Sequence, residues 1–158
     1  MASTLPSRPR QSGNASTIAI VSSTYHDEFV KGLISHARAE LTAIDPDTET
    51  RVLEVPGSFE IPLAVAQVAR QADVDAVIAF GVLIEGETEH AAMVARTVTD
   101  ALMRIMLSSG TPVIHEVLLL KSEEQARARC LEDQINRGTE AARVAMHMIQ
   151  TMSHFPRG

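Results

Sequence analysis

The stretch Ala76–His90, which reads AVIAFGVLIEGETEH, decides the fold. Its first five residues are apolar and include β-branched side chains, which is typical of a short buried strand. A glycine-bearing turn follows, and Thr88 is placed to cap a helix, because apolar residues then recur at helical spacing: Val94, Val98, Ala101, Leu102 and Ile105. A strand that runs into a helix N-terminus directs free backbone N–H groups toward its carboxyl end, where anionic ligands bind. We therefore predict that this stretch is the active-site loop, with His90 in the first helical turn.

The rest of the chain continues the alternation of strands and helices. Apolar runs predict three more strands, at residues 17–22, 49–55 and 113–120. Helical periodicity predicts four more helices. They end near Leu41, Ala72, Asp133 and Met152. Gly110 is placed to cap the end of the helix that contains His90. Strands that alternate with helices at this spacing indicate right-handed βαβ units and a doubly wound, four-stranded parallel sheet.

Composition bounds the class of protein. A chain of 158 residues with 45% hydrophobic content suits a single domain, which we place at residues 17–158. Residues 1–16 are polar, so we expect a flexible or partner-docked tail that is a candidate to pair with a neighbour's sheet edge. The net charge of −6 comes without a basic stripe, and no apolar run approaches the ~20 residues that cross a bilayer. We expect no nucleic-acid or membrane partner, and the lone Cys130 fits a reducing cytoplasm.

Candidate functional residues lie where the predicted strands end, because open parallel sheets bind ligands there. His90 suits proton transfer near neutral pH, with a solvated histidine at a helix start as the equal alternative. Glu60 suits either ligand contact or helix capping, and Tyr25 suits either stacking on a planar ring or local packing. A basic cluster late in the chain suits either phosphate binding or a solvated helix face: Arg127, Arg129 and Arg137.

Other chemistries have no support in the sequence. The spacings Cys-x-x-Cys and His-Glu-x-x-His are missing, so no metal site is expected. The glycine patterns of dinucleotide and nucleoside-triphosphate sites and the G-x-S-x-G elbow of serine hydrolases are missing as well. The residues alone therefore predict a small α/β domain that binds a small ligand at the strand ends.

Four segments together resemble the lumazine synthase family, whose members make 6,7-dimethyl-8-ribityllumazine in riboflavin biosynthesis. They are Val55–Pro62, Gly81–His90, Glu124–Ala126 with Arg129, and Asn136–Gly138 followed by Glu140–Ala142. Their order and spacing resemble the family from Thr17 to the last helix. The resemblance implies a flavodoxin-like three-layer α/β/α fold. It also implies condensation of 5-amino-6-(D-ribitylamino)uracil with 3,4-dihydroxy-2-butanone 4-phosphate, releasing phosphate and water, without a metal ion or organic cofactor.

The resemblance assigns roles to individual residues. His90 matches the proton-transfer histidine, Arg129 the phosphate-binding arginine, and Tyr25 the aromatic residue that stacks on the pyrimidine. His115 stands where an aromatic residue of the neighbouring subunit covers the pyrimidine. Ser58, Phe59 and Glu60 match the segment that binds the ribityl chain. Val82, Leu83 and Ile84 match the strand end that lies along the pyrimidine. Glu87 and Thr88 match the backbone donors to phosphate.

The resemblance also implies self-association to a pentamer or larger, with sites at subunit interfaces and riboflavin synthase as a possible partner. Two departures stand out. Glu85 places a carboxylate near the expected phosphate, and Cys130–Ile135 replaces a glycine-rich stretch linked to capsid assembly, so we expect a pentamer rather than an icosahedral shell.

Two alternatives remain at this point. A non-catalytic relative that binds flavin or lumazine is disfavoured by the presence of both His90 and Arg129. An unrelated flavodoxin-like ligand-binding domain leaves the motif at residues 56–62 unexplained.

Overall fold

The computed structural model describes residues 4–156, which form four parallel strands and five helices. The strands are β1 (Thr17–Ser23), β2 (Glu49–Val55), β3 (Ala76–Ile84) and β4 (Val113–Leu120). The helices are α1 (Asp27–Ile44), α2 (Ile61–Val68), α3 (His90–Ser109), α4 (Glu123–Cys130) and α5 (Arg137–Met152), and a short 3₁₀ turn, Ser58–Glu60, precedes α2. The strand order is β2-β1-β3-β4, with every neighbouring pair parallel.

Helices cover both faces of this sheet, which confirms the predicted three-layer α/β architecture. Alternate residues of β1 divide between the two cores, as the period of two requires. Ile18 and Ile20 are buried with side chains of α1, α4 and α5, whereas Ala19 and Val21 are buried with side chains of α2 and α3. A sheet buried on both faces explains why the central strands read as nearly continuous apolar runs.

The register places the carboxyl ends of all four strands at one edge of the sheet, which we call the carboxyl edge. Ser23 pairs with Val55 at the ends of β1 and β2, and Ile84 pairs with Leu120 at the ends of β3 and β4. Every connection that leaves this edge leads toward a helix, so the predicted site residues Tyr25, Ser58 and His90 follow strand ends directly.

Several element boundaries differ from those expected from the sequence. Strand β3 continues to Ile84, because residues 81–84 pair with residues 117–120 of β4. Thr88 is not the cap of α3, as the helix begins at His90 and Glu89 occupies the cap position without a side-chain hydrogen bond. Helix α4 ends at Cys130 instead of Asp133, because Asn136 turns the chain and caps α5 by accepting from Gly138 N and Thr139 N.

The capping prediction at Gly110 is confirmed, and a second helix is capped by a side chain. Gly110 has a φ of 69° at the end of α3, a left-handed conformation that glycine adopts without steric cost. Ser122 Oγ accepts from Gln125 N at 3.2 Å and caps α4.

The N-terminal residues lie against helices of their own chain. Residues 4–16 run along α1 and α5, and Ser16 O accepts from Glu49 N where β1 and β2 begin. The division into a tail at residues 1–16 and a domain at residues 17–158 stays a prediction, and residues 1–3 and 157–158 lie outside the described part.

Candidate active site

Gly57 brings Tyr25 and Glu60 together at the carboxyl edge. A Cβ atom at position 57 would lie 2.8 Å from Glu60 Oε2 and 3.3 Å from Tyr25 Cδ2, so only glycine allows both side chains to close over this backbone. Gly57 N donates to Glu60 Oε2 at 2.9 Å, which shows that one carboxylate oxygen does close the turn. The Glu60 side chain is otherwise exposed to solvent.

The turn is tied to the end of β1 by its backbone. Thr24 N donates to Val55 O at 3.0 Å and to Pro56 O at 3.2 Å, and the Thr24 hydroxyl donates to Pro56 O at 3.0 Å. These bonds fix the distance between the β1 end and the 3₁₀ turn. The ring of Tyr25, which is 69% exposed, is therefore presented to solvent from a rigid support.

Gly81 of β3 packs closely against the same turn. A Cβ atom at position 81 would lie 2.7 Å from Ser58 Oγ and 3.1 Å from Ile61 Cδ1. Ser58 is buried, so its hydroxyl is held against the middle of β3. Phe59, by contrast, is 62% exposed, which leaves its ring available for contact outside this subunit.

The end of β3 and the loop that follows it form the other wall. Val82 is buried, while Leu83 and Ile84 are half-buried where the strand reaches the carboxyl edge. Residues 85–90 are exposed, and Glu85 N donates to Leu120 O at 2.8 Å, which joins the loop to the end of β4. Glu87 and Thr88 thus lie in the exposed loop before α3, and His90 is the first residue of that helix. This is the loop that the sequence predicts to form the active site.

His115 lies away from this group. It sits in the middle of β4, paired with Ala79, and its Nε2 contacts Thr99 Oγ1 of α3 at 2.7 Å. Thr99 follows His90 by nine residues, a rise of about 13 Å along the helix. His115 therefore cannot cover a ligand at the carboxyl edge of its own chain.

Arg129 lies on the opposite face of the sheet. Helix α4 packs on α1, α5 and β4, whereas α3 packs on α2, β4 and the 3₁₀ turn. Two atoms of the Arg129 guanidinium, Nε and Nη1, are buried and have no hydrogen-bond partner among the described residues. Buried donors without acceptors are costly, so these atoms are poised to bind an anion.

Glu116 of β4, whose charge acts on that of Arg137, was missed by sequence reasoning. Arg137 is only 4% exposed and forms an ion pair with Glu140, and Glu116 of β4 and Arg129 both act on its charge. Burial raises the pKa of Glu116 to about 7, although Arg137 opposes the rise. The alternation of β4 was the available signal, because position 116 falls between the buried residues Ile114 and Leu118.

The described residues thus divide into two groups. One group stands at the carboxyl edge and the N-terminus of α3, and it comprises Tyr25, Ser58–Glu60, Val82–Ile84 and Glu87–His90. The other group flanks β4, the last strand of the sheet, with His115 on one face and Arg129 on the other. Among the described residues, no side-chain hydrogen bond or ion pair joins the two groups.

Residues 4–156 contain neither a metal-binding cluster nor a membrane-spanning helix. No cluster of three or more His, Cys, Asp or Glu side chains is arranged to hold a metal ion there. None of the helices in the described range is long and apolar enough to span a bilayer.

Comparison with known proteins covers both groups of residues. The sequence model of the 6,7-dimethyl-8-ribityllumazine synthase family matches residues 15–153. A protein of that name from Halorhodospira halophila is 39% identical over 135 residues, covering 85% of this chain and 86% of the relative. Another from Bdellovibrio bacteriovorus is 39% identical over 139 residues, covering 88% and 76% of the two chains.

A more distant relative spans the same region. The 6,7-dimethyl-8-ribityllumazine synthase of Thermus thermophilus is 34% identical over 141 residues, which cover 89% of this chain and 90% of the relative. The family match spans every residue of the candidate site, from Tyr25 to Arg129. The chain therefore belongs to the 6,7-dimethyl-8-ribityllumazine synthase family of enzymes.

Proposed function

We propose that this protein condenses 5-amino-6-(D-ribitylamino)uracil with 3,4-dihydroxy-2-butanone 4-phosphate to give 6,7-dimethyl-8-ribityllumazine, the penultimate step of riboflavin biosynthesis. The observation that carries the proposal is the pair of close approaches at Gly57 and Gly81. They hold Tyr25, Ser58 and Glu60 at the carboxyl edge, one loop away from His90. This is the arrangement needed to bind a polar, planar molecule beside a proton-transfer group.

The pyrimidine would lie between Tyr25 and the end of β3. The exposed tyrosine ring offers a flat face for stacking, and the half-buried Leu83 and Ile84 offer an apolar surface along the ring. The ribityl hydroxyls would meet the 3₁₀ turn, where Glu60 Oε1 accepts hydrogen bonds. Because Glu60 Oε2 already accepts from Gly57 N, the carboxylate is oriented before the ligand arrives.

The phosphate would bind to Arg129 and to backbone donors at Glu87 and Thr88. The Nε and Nη1 atoms of Arg129 are buried donors without a partner among the described residues, and burial strengthens a contact between such donors and a phosphate oxygen. The N-terminus of α3 also favours a dianion, since its cap residue supplies no competing side-chain hydrogen bond. Glu85 lies in the same loop, exposed, and its carboxylate is free to point into water.

The reaction proceeds by ordinary amine and carbonyl chemistry. One amine of the pyrimidine attacks the ketone and an imine forms with loss of water. Loss of a proton and elimination of inorganic phosphate give an enol, which becomes a ketone; the second amine then closes the ring and a second water leaves. His90 is the group placed to move the protons, a contribution of about 10²- to 10⁴-fold. Holding the two substrates together supplies much of the remaining acceleration.

The complete site would require two subunits. Residues at the carboxyl edge of one copy would meet His115 and Arg129 beside β4 of the next copy. Such a contact joins two different surfaces, so it continues around a closed ring instead of ending at a dimer. The pentamer expected from the resemblance is a ring of this kind.

Exposed apolar side chains on α2 and α3 support such an assembly. Only Val98 and Leu102 of the 20-residue helix α3 are buried, whereas Met93, Met103 and Leu107 are 64%, 52% and 75% exposed. Leu63 of α2 is 71% exposed. Apolar surface of this extent on neighbouring helices is typical of a subunit interface.

The test is to mix the purified protein with both substrates and to follow the fluorescence of the lumazine product together with phosphate release. We expect both signals to rise in equal molar amounts. A protein that binds the pyrimidine or the product but forms neither lumazine nor phosphate would instead be a non-catalytic binding relative. Riboflavin synthase, which would consume the product, stays a predicted partner, and the cytoplasm a predicted location.

A further inference from the structure

A groove between α1 and α5 holds the N-terminal segment, residues 4–12. Three donors on one face of α5 each bind a backbone carbonyl of this segment. Arg143 Nη1 donates to Pro6 O at 2.7 Å, His147 Nε2 to Ser7 O at 3.0 Å, and Gln150 Nε2 to Arg10 O at 2.7 Å. The donors are spaced by four and three residues, so they form one row along the helix.

The dimensions of the row fit an extended peptide. From the first donor to the last, the helix rises about 10 Å, and the four residue-to-residue steps from Pro6 to Arg10 span about 13 Å when extended. The segment therefore lies parallel to α5 and is bound through its main chain. Recognition of carbonyl groups alone does not depend on the side chains of the peptide.

One side chain supplies specificity. Arg8 donates from Nε and Nη2 to the two oxygens of Glu40 at 2.8 and 2.9 Å, which is a bidentate ion pair. Glu40 is only 8% exposed on α1, and Arg143 Nε also donates to it at 2.7 Å. The hydrogen bond from Arg8 is the largest of the effects that hold the pKa of Glu40 below its usual value, despite burial. Pro9, next to the anchor, is buried.

The segment is not part of either hydrophobic core. Both core clusters begin after it, at Ile18 and Ala19. The residues that connect it to β1 include Gly13, around which a side chain would meet no atom within 4 Å. The structure thus shows a peptide that is held by polar contacts at its own site and joined to the domain by an open connection.

We infer that the groove lined by Glu40, Arg143, His147 and Gln150 is a binding site for an extended, arginine-bearing peptide. Its ligand is residues 4–12 of this chain, which bind as a detachable segment, so that the same segment of a second copy can occupy the groove. This inference does not depend on the proposed enzymatic function. A short connection gives the chain's own segment a high effective concentration at the groove. The segment of the same chain therefore fills the groove unless the ion pair between Arg8 and Glu40 is lost.

The test uses a fluorescent synthetic peptide of residues 4–12 and the full-length chain with Arg8→Ala, whose own segment lacks the anchor. We expect saturable binding, seen as fluorescence anisotropy, that is at least about tenfold tighter than binding to the wild-type chain. Peptide Arg8→Ala should bind at least about tenfold more weakly. Peptide Arg10→Ala is the matched control, because it loses the same charge but only its carbonyl is used.

Two further measurements separate the groove from general charge effects and from misfolding. In the Arg8→Ala host, Arg143→Ala should abolish binding, whereas Arg38→Ala, on the exposed face of α1, should leave it unchanged. In chains without peptide, trypsin should cleave after Arg10 at least about tenfold faster in Arg8→Ala than in wild type. Equal binding to the wild-type and Arg8→Ala hosts, equal losses for the two peptide variants, or equal cleavage rates would overturn the inference.

Discussion

His115 Nε2 and Thr99 Oγ1 lie 2.7 Å apart, and this contact places the ring proton on Nε2. Thr99 donates its proton to Ala95 O at 2.8 Å, so its oxygen accepts from His115. The other ring nitrogen, Nδ1, accepts from Val117 N at 3.0 Å and therefore carries no proton. Burial lowers the pKa of His115, which favours the same state. An uncharged imidazole ring is thus held on β4, which suits the proposed role of His115 in a site between subunits.

A site shared between subunits predicts that two variants, each impaired in a different half of the site, restore each other when the butanone phosphate is subsaturating. His90→Ala damages the half of the site at the carboxyl edge, and Arg129→Ala damages the half beside β4. In rings assembled at random from equal amounts of both chains, about a quarter of the interfaces join an intact His90 to an intact Arg129. Co-expressed chains with two different tags, purified through both, should therefore show about a quarter of wild-type activity.

The control replaces the Arg129→Ala chain with the double variant His90→Ala/Arg129→Ala. No interface of that mixture contains an intact His90, so activity should stay at the level of the single variant His90→Ala. Doubly tagged assemblies of the two single variants that are no more active than their parents would show that the site lies within one chain.

Arg129 is predicted to serve the phosphate substrate more than the pyrimidine. Arg129→Ala removes the buried guanidinium, so the KM for the butanone phosphate should rise by at least about tenfold while the KM for the pyrimidine changes little. Arg127 is the matched control on the same helix, since its exposed side chain reaches only Glu28, at 3.5 Å. Steady-state kinetics with each substrate varied in turn measures both effects. Equal increases in the two KM values would contradict the assigned role.

Gly81 is predicted to be required by the 3₁₀ turn. In Gly81→Ala the new methyl group would lie 2.7 Å from Ser58 Oγ, and the overpacking should lower the free energy of unfolding by about 1–3 kcal/mol. Ser58→Ala in the same chain should recover at least about 0.5 kcal/mol, because the two positions are in contact. Urea unfolding measures both changes.

Gly86 provides the comparison for that experiment. No atom lies within 4 Å of a Cβ at position 86, so Gly86→Ala should change stability by less than about 0.5 kcal/mol. If both alanine variants lost the same stability, the loss would not come from the contact with Ser58, because position 86 has no such contact.

Most of the fold was predictable from the sequence because strand and helix periods differ clearly in this chain. β2 and β4 have the predicted limits, and the last residues of α1 and α5 follow from Asp45 and from the apolar face that ends at Met152. The errors occur where long-range pairing decides. The apolar run predicts a strand that ends at Phe80, but residues 81–84 also pair with β4. Only the register of the folded sheet shows this longer pairing.

Sequence reasoning named residues of the candidate site but did not give their arrangement within one chain. Strand ends and motifs pointed to His90, Tyr25 and Glu60 individually, whereas the separation of His115 and Arg129 from them follows from the faces of the sheet on which α3 and α4 pack. Thr99, which fixes His115, carries no sequence signal of its own. Its contact with His115 joins two residues that are 16 positions apart in the chain.

Cys130 is predicted to be inert in the native protein. Its side chain is fully buried, and burial, with a further effect from Glu116, raises the pKa of the thiol to about 12. Only the thiolate reacts readily, so a thiol reagent at pH 8 should label native protein at the rate of unfolding and label urea-unfolded protein within seconds to minutes. Rapid labelling of the native protein would show that the segment after α4 opens locally.

Glu116 is predicted to make the protein less stable as the pH rises. Its folded pKa is raised to about 7, so the folded state holds the proton more tightly than the unfolded chain does. The group has no destabilising effect below the unfolded pKa of about 4.3. Stability should then fall as the pH rises through 7, by an amount on the order of 1–3 kcal/mol, because a buried carboxylate must be charged.

Glu116→Gln tests this dependence directly. The amide keeps the shape and stays neutral, so the variant should match the wild type in free energy of unfolding near pH 4 and exceed it above pH 8. Glu124→Gln, at an exposed position with no resolved role in packing, should leave the pH dependence of the wild type unchanged. Urea unfolding at several pH values measures the difference. A variant that is less stable than wild type above pH 8 would mean that the charged Glu116 stabilises Arg137 by more than its own burial costs.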